Sequence, residues 1–141
     1  MTKRAVFYLI PEETEQARWV CACRLTDKAY RQGLPVYIHI PTKEAAQQFD
    51  DLLWIFKDTS FVPHALYDGK TDLPVQIGYA IPTNLPDTTV FINLAQDIPD
   101  VYKQFHHIIE IVPQETTLRK KAREHYRYYR EQGYEPESHT L

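Results

Sequence analysis

Four arginines on one amphipathic segment, a tryptophan that leaves its own apolar stripe, six histidines and two cysteines are where this chain could do chemistry. Between Glu115 and Gln132 the sequence has the period of a helix. Leu118, Ala122, His125 and Tyr129 form its apolar stripe. On a wheel zeroed at Leu118, Arg119, Arg123, Arg127 and Arg130 fall between roughly 100° and 180°, with Tyr126 at about 80°. Few carboxylates share that side. A guanidinium ridge beside an aromatic edge suits a carboxylate-bearing peptide or a phosphate, because the planar fork matches both anions. Val112-Pro113, just before the helix, offers an apolar wall to the same site. The competing reading is a solvated helix face whose late basic residues favour the helix dipole.

Trp54 is the second feature. Ala45, Phe49, Leu52, Leu53 and Phe56 recur at helical spacing, and Trp54 points about 140° away from Phe49. A tryptophan off the core face is covered either by a neighbouring loop or by a partner protein. Phe61 and Pro63 follow a short polar break and flank it.

The remaining reactive groups do not assemble into a catalytic pattern. His106 and His107 are adjacent and point apart, so they cannot chelate one metal. His39 reads as packed in a strand, and His64 has no nucleophile near it in sequence. Cys21 and Cys23 diverge by about 200° on a helix, which excludes both a disulfide and a metal pair. No His-x-x-Glu-His, Cys-x-x-Cys or Gly-x-Ser-x-Gly pattern occurs. No cofactor, metal or catalytic residue is expected.

These side chains need a scaffold. Strands are expected at Ala5–Ile10, Pro35–Ile40, Val75–Ala80, Val90–Ala95 and Ile108–Val112, with a short extended piece at Phe61–Leu66. Helices are expected at Glu12–Gln32, at Ala45–Phe56 behind a Thr42 cap, briefly at Tyr102–His107, and at Glu115–Gln132. Gly33 and Gly133 are the stops of the first and last. The eight residues from Tyr134 read as a loosely ordered tail. Alternating strands and helices predict one α/β domain over residues 1–141, a three-layer αβα arrangement on a mostly parallel sheet. The fold is Rossmann-like but lacks a phosphate-binding loop: the first turn, Ile10-Pro11-Glu12-Glu13-Thr14, has two carboxylates and no glycine.

Composition removes other classes. The chain has 141 residues and a formal net charge of −3, so it carries no chain-wide basic footprint for nucleic acid. No apolar run approaches the roughly 18 residues that span a membrane. The N-terminal Met1-Thr2-Lys3-Arg4 leads into an apolar run that ends at Pro11, a strand rather than a signal peptide. Reduced thiols and no export signal point to the cytoplasm.

Two stretches together resemble the chi subunit of bacterial DNA polymerase III. They are Leu53-Trp54 followed by Ser60-Phe61-Val62-Pro63-His64, then Val112-Pro113, Leu118, Ala122-Arg123-Glu124, Tyr126, Tyr129-Arg130 and Gly133-Tyr134. Phe7-Tyr8-Leu9 is similar to that family's first strand. The resemblance covers nearly the whole chain and is weakest over residues 68–90. It implies a non-catalytic replisome adaptor that pairs with the psi subunit of the clamp-loader complex. It also implies binding to the acidic C-terminal tail of the single-stranded-DNA-binding protein, which ends in an apolar residue with a free carboxylate. By that resemblance Trp54, Phe61 and Pro63 form the psi-facing surface, where a helicase is a further candidate partner. Val112, Arg119, Arg123, Tyr126, Arg127 and Arg130 form the tail pocket. Lysine is expected in relatives at positions 119 and 127, so Arg119 and Arg127 keep the charge and change its presentation.

Two other functions compete. A small ligand-binding or hydrolytic domain would carry a polar pocket at the strand C-terminal ends. Direct nucleic-acid binding by the basic helix would need no protein partner, and the acidic net charge argues against it.

Overall fold

The computed structural model describes residues 2–55, 63–69, 73–80, 82 and 85–141, with 101 and 102 described by backbone alone. Its elements run β1 (Arg4–Leu9), α1 (Glu15–Arg31), β2 (Val36–His39), α2 (Lys43–Ile55), β3 (His64–Leu66), β4 (Val75–Gly78), β5 (Val90–Asn93), a 3-10 turn (Asp100–Gln104), β6 (His107–Val112), α3 (Thr116–Glu131) and β7 (Glu135–Thr140). The strands form one seven-stranded sheet in the order β3-β4-β2-β5-β6-β1-β7, and every neighbouring pair is parallel.

Parallel neighbours require crossovers, and crossovers put helices on both faces. The inner strands are therefore buried on both sides: all four residues of β2, β4 and β5 are buried. One face packs Val36, Ile38, Ile77, Ile92, Ile109 and Ile111 against Ala22, Cys23, Phe49 and Leu53 of α1 and α2. The opposite face is aromatic, with Phe7, Tyr37, Phe91 and Phe105 under Tyr129 of α3. The expected three-layer α/β architecture is thus present. Side-chain oxygens of Thr14, Thr42 and Glu115 accept from the backbone N–H groups of Ala17, Ala45 and Leu118 at 3.1, 3.1 and 2.8 Å, which starts the helices. Gly33 and Gly133, at φ 78° and 92°, end α1 and α3. Among the described residues, no helix is long and apolar enough to cross a membrane.

The largest departure from expectation is the C-terminal segment. It is not a loosely ordered tail. Tyr134 is buried and its hydroxyl donates to the Phe105 carbonyl at 2.7 Å. Residues 135–140 then form β7, paired along all of β1. So Ile108–Val112 is not the last strand, and α3 is a crossover rather than a closing element. The Phe61–Leu66 piece contributes β3 at His64–Leu66, while its first residues, with Phe56 and Phe61, lie outside the described residues.

Candidate functional site

Helix α3 crosses the sheet above β1 and β7, and its basic side overhangs β7, the last strand in the sheet order. Between them opens a cavity of about 360 Å³. Phe7 and Leu9 of β1 and Ala122 of α3 supply its apolar surface, Ser138 of β7 its polar edge, and Arg119, Arg123, Arg127 and Arg130 its basic wall. Tyr126 stands at the junction. Its ring is 5.5 Å from that of Phe7, and its hydroxyl donates to the Pro136 carbonyl at 3.3 Å. The Arg130 guanidinium lies 5.1 Å from the centre of the Tyr126 ring, a cation–π contact that fixes both side chains.

The four arginines are not equivalent. Arg119 donates from Nε to the Pro113 carbonyl and from Nη2 to the Ile10 carbonyl, each at 3.0 Å. It ties the start of α3 to the ends of β6 and β1, and much of its hydrogen-bonding capacity is spent there. Arg123 and Arg127 are exposed, and among the described residues no hydrogen bond or ion pair engages them. Their forks stand open at the cavity mouth, where a carboxylate can accept two parallel bonds.

Of the six residues expected to line this pocket, five do so: Arg119, Arg123, Tyr126, Arg127 and Arg130. Val112 does not line it. It is buried in the core beside Leu9, Ala122 and Tyr126, and opens instead on a separate cavity of about 100 Å³ between β6, α1 and α3. The apolar wall comes from Phe7 and Leu9. The alternation of β1 puts these two on one face, but nothing in the sequence places β1 beside β7.

Beneath the site, α3 is seated on a buried carboxylate. Glu110 of β6 has His125 Nδ1 2.8 Å from Oε1 and accepts from the Tyr129 hydroxyl at 2.9 Å on Oε2. Asn93 Nδ2 adds a longer bond to Oε2 at 3.4 Å. His125 and Tyr129, read as part of an apolar stripe, are therefore also polar anchors. At the N-terminus of α3, backbone N–H groups of Leu118 and Thr117 hold the Glu115 carboxyl below the usual glutamate range.

The second surface lies at the end of α2. Trp54 is 48% exposed, while Phe49 and Leu53 of the same helix are 0% and 2% exposed. Ile55 is exposed beside it. The indole packs on the buried His64 ring at 4.3 Å, and His64 Nε2 is 3.5 Å from Asp50 Oδ1. The Asp50 carboxyl is held above the ordinary carboxylate range by burial, an effect that the nearby His64 offsets only in part. Pro63 is half-buried next to His64. Phe61 lies outside the described residues.

The other groups behave as packing. His39 is buried between Tyr37 and Phe91, at ring distances of 6.5 and 5.9 Å. Both cysteines are buried and free, and burial pushes the Cys23 thiol up to about 12. Cavities do open at strand C-terminal ends, about 480 Å³ beside Glu12, Thr14 and Cys21 and about 540 Å³ beside His39 and Gln96. Among the described residues, no hydrogen bond joins a hydroxyl or thiol to a carboxylate or imidazole in either, and no group of three or more metal-ligating side chains forms.

Comparison with known proteins gives this arrangement a family. The model of the DNA polymerase III chi subunit (HolC) matches residues 1–137. The DNA polymerase III subunit chi of Pseudomonas aeruginosa is 37% identical over 138 residues, covering 98% of this chain and 96% of that protein. That of Haemophilus influenzae is 35% identical over 136 residues, with 95% and 94% covered. The Escherichia coli subunit is 30% identical over 138 residues, with 94% of each covered. The chain belongs to the DNA polymerase III chi subunit family.

Proposed function

We propose that this chain is a non-catalytic adaptor of the replisome. One surface, built on Trp54, Phe61 and Pro63, binds the psi subunit of the clamp-loader complex. The other, the arginine-walled cavity, binds the acidic C-terminal tail of the single-stranded-DNA-binding protein. Tethering is the whole mechanism: the chain bridges the polymerase assembly to protein-coated single-stranded DNA, and no bond is made or broken. The observation that carries this reading is the pairing of Arg123 and Arg127, unengaged among the described residues, with an apolar floor of Phe7, Leu9 and Ala122. A peptide ending in an apolar residue with a free carboxylate presents the complement of both. The side chain fills the floor, and the terminal carboxylate takes the guanidinium forks. Acidic residues upstream meet the positive field of the same arginine row, Arg130 included. Presentation of several tails on one coated strand multiplies a modest single-site affinity. Such a protein works in the cytoplasm, and needs no direct contact with DNA.

The test is a titration with a peptide from that tail, run on the wild type and on Arg123→Ala at low and high salt. Saturable binding that weakens with salt and is lost in a folded Arg123→Ala protein is expected. Equal affinity at both salt concentrations, or full affinity in the variant, removes the pocket from the account.

A further inference from the structure

At Ser138 the cavity borders the outer strand of the sheet. Among the described residues the sheet ends at β7, and the ladder to β1 tells which way each backbone group points. Glu135 N–H donates to Lys3 and Leu141 N–H to Leu9, both at 2.8 Å. In a strand, alternate residues point their N–H and C=O to the same side. Glu137 and His139 therefore also face β1, and Pro136, Ser138 and Thr140 face outward. Pro136 sits where its missing N–H costs no ladder bond, and its carbonyl is taken by Tyr126. Ser138 and Thr140 have no backbone partner on the outward side among the described residues. Their spacing is two residues, about 6.6 Å, and Ser138 also lines the cavity.

We propose that the acidic peptide held in the cavity runs along β7 as an added strand, with its backbone paired to Ser138 and Thr140. This rests on the pocket reading above and extends it to the upstream part of the ligand. Charge favours the arrangement. In an added strand, alternate side chains face the same way as Ser138, towards the arginines of α3. On the other face Glu137 is already paired with Arg4 at 3.1 Å and His139 at 3.3 Å, so it does not oppose an acidic strand alone. Affinity then comes partly from sequence-independent backbone bonds, and only every second acidic position of the peptide is read by arginine.

The test uses a synthetic peptide, Asp-Asp-Asp-Asp-Ala-Phe with a free C-terminus, and versions of it methylated on one backbone nitrogen at a time. The protein stays unmodified, so folding is not at issue. Methylation at alternate amides is expected to weaken binding about five- to tenfold, one lost hydrogen bond each, with the intervening amides within about twofold. Amide exchange at Ser138 and Thr140 should slow with the hexapeptide and not with the dipeptide Ala-Phe. Hexapeptide binding that still depends on Arg123, but shows no alternation and no slowing, overturns the added strand and leaves the pocket standing. No binding by the unmethylated hexapeptide overturns both.

Discussion

Replacing Arg119 with alanine should lower stability by about 2 kcal/mol, whereas the same change at Arg123 should cost less than about 0.5 kcal/mol. The two residues lie one turn apart on the same face of α3, so composition and helix propensity do not separate them. Contacts do. Arg119 makes two bonds from a charged donor to the Pro113 and Ile10 carbonyls, each at 3.0 Å. Bonds of that kind contribute about 1.5–3 kcal/mol each when enclosed. The site is only part-buried, so water recovers some of the loss after truncation, which brings the total below the roughly 3 kcal/mol minimum for two enclosed bonds, to about 2 kcal/mol. Arg123 is exposed and, among the described residues, makes no such bond. The assay is urea unfolding. With an m-value of about 2 kcal/mol per M, the Arg119→Ala midpoint should fall by about 1 M at unchanged m, and that of Arg123→Ala should hardly move. Arg119→Lys should lie between, because an ammonium reaches one carbonyl but cannot fork to both. Equal midpoints for the two alanine variants would refute the division of the arginine row into a clamp and a binding pair.

Three further outcomes follow from the same geometry. Gly78→Ala should destabilise the protein by about 1–3 kcal/mol, or prevent folding. A Cβ there would lie 2.2 Å from the hydroxyl oxygen of the fully buried Tyr37, and thermal unfolding reads the loss. His39 is held below its ordinary 6.5 by burial, so the unfolded chain takes up a proton first as the pH drops below 6.5. The stability contributed by neutral His39 is present above that pH and lost below it. His39→Phe should flatten this acid-side fall in a pH series of urea midpoints, in part only, since burial lowers the His107 pKa as well. Trp54→Ala should leave stability within about 1 kcal/mol, because the residue is already about half exposed. In a pull-down with the psi subunit it should lose more than about tenfold in affinity, as an interface anchor does; unchanged capture would take Trp54 out of that surface.

Much of the architecture was legible because its signals are local. Pro35–Ile40 and Val90–Ala95 are short, mostly apolar runs between turn residues, Thr42 is a cap, and Gly33 and Gly133 are stops. The arginine row was legible for the same reason: helical spacing alone puts Arg123, Tyr126, Arg127 and Arg130 together. What was missed depends on long-range neighbours. β7 has the sequence Glu-Pro-Glu-Ser-His-Thr, with no apolar alternation, because an edge strand needs little burial and takes its order from β1 and the Tyr134 anchor. Since β7 was not foreseen, neither was the groove beside it, nor Phe7 and Leu9 as its floor. Val112 looked like a wall from its place in the sequence, yet the last residue of β6 packs inward under α3. Glu110 lies in an apolar run with no sign that His125 and Tyr129 would meet it from a helix.

The most direct test of tethering is capture of this protein on single-stranded DNA coated with its single-stranded-DNA-binding protein, compared with the same DNA coated by that protein lacking its last few residues. The adaptor account predicts capture on the first surface, loss of it on the second, and loss on both for Arg123→Ala. Equal capture of the wild type with and without the tails would contradict it, and would turn attention to the DNA or to the body of the binding protein as the ligand.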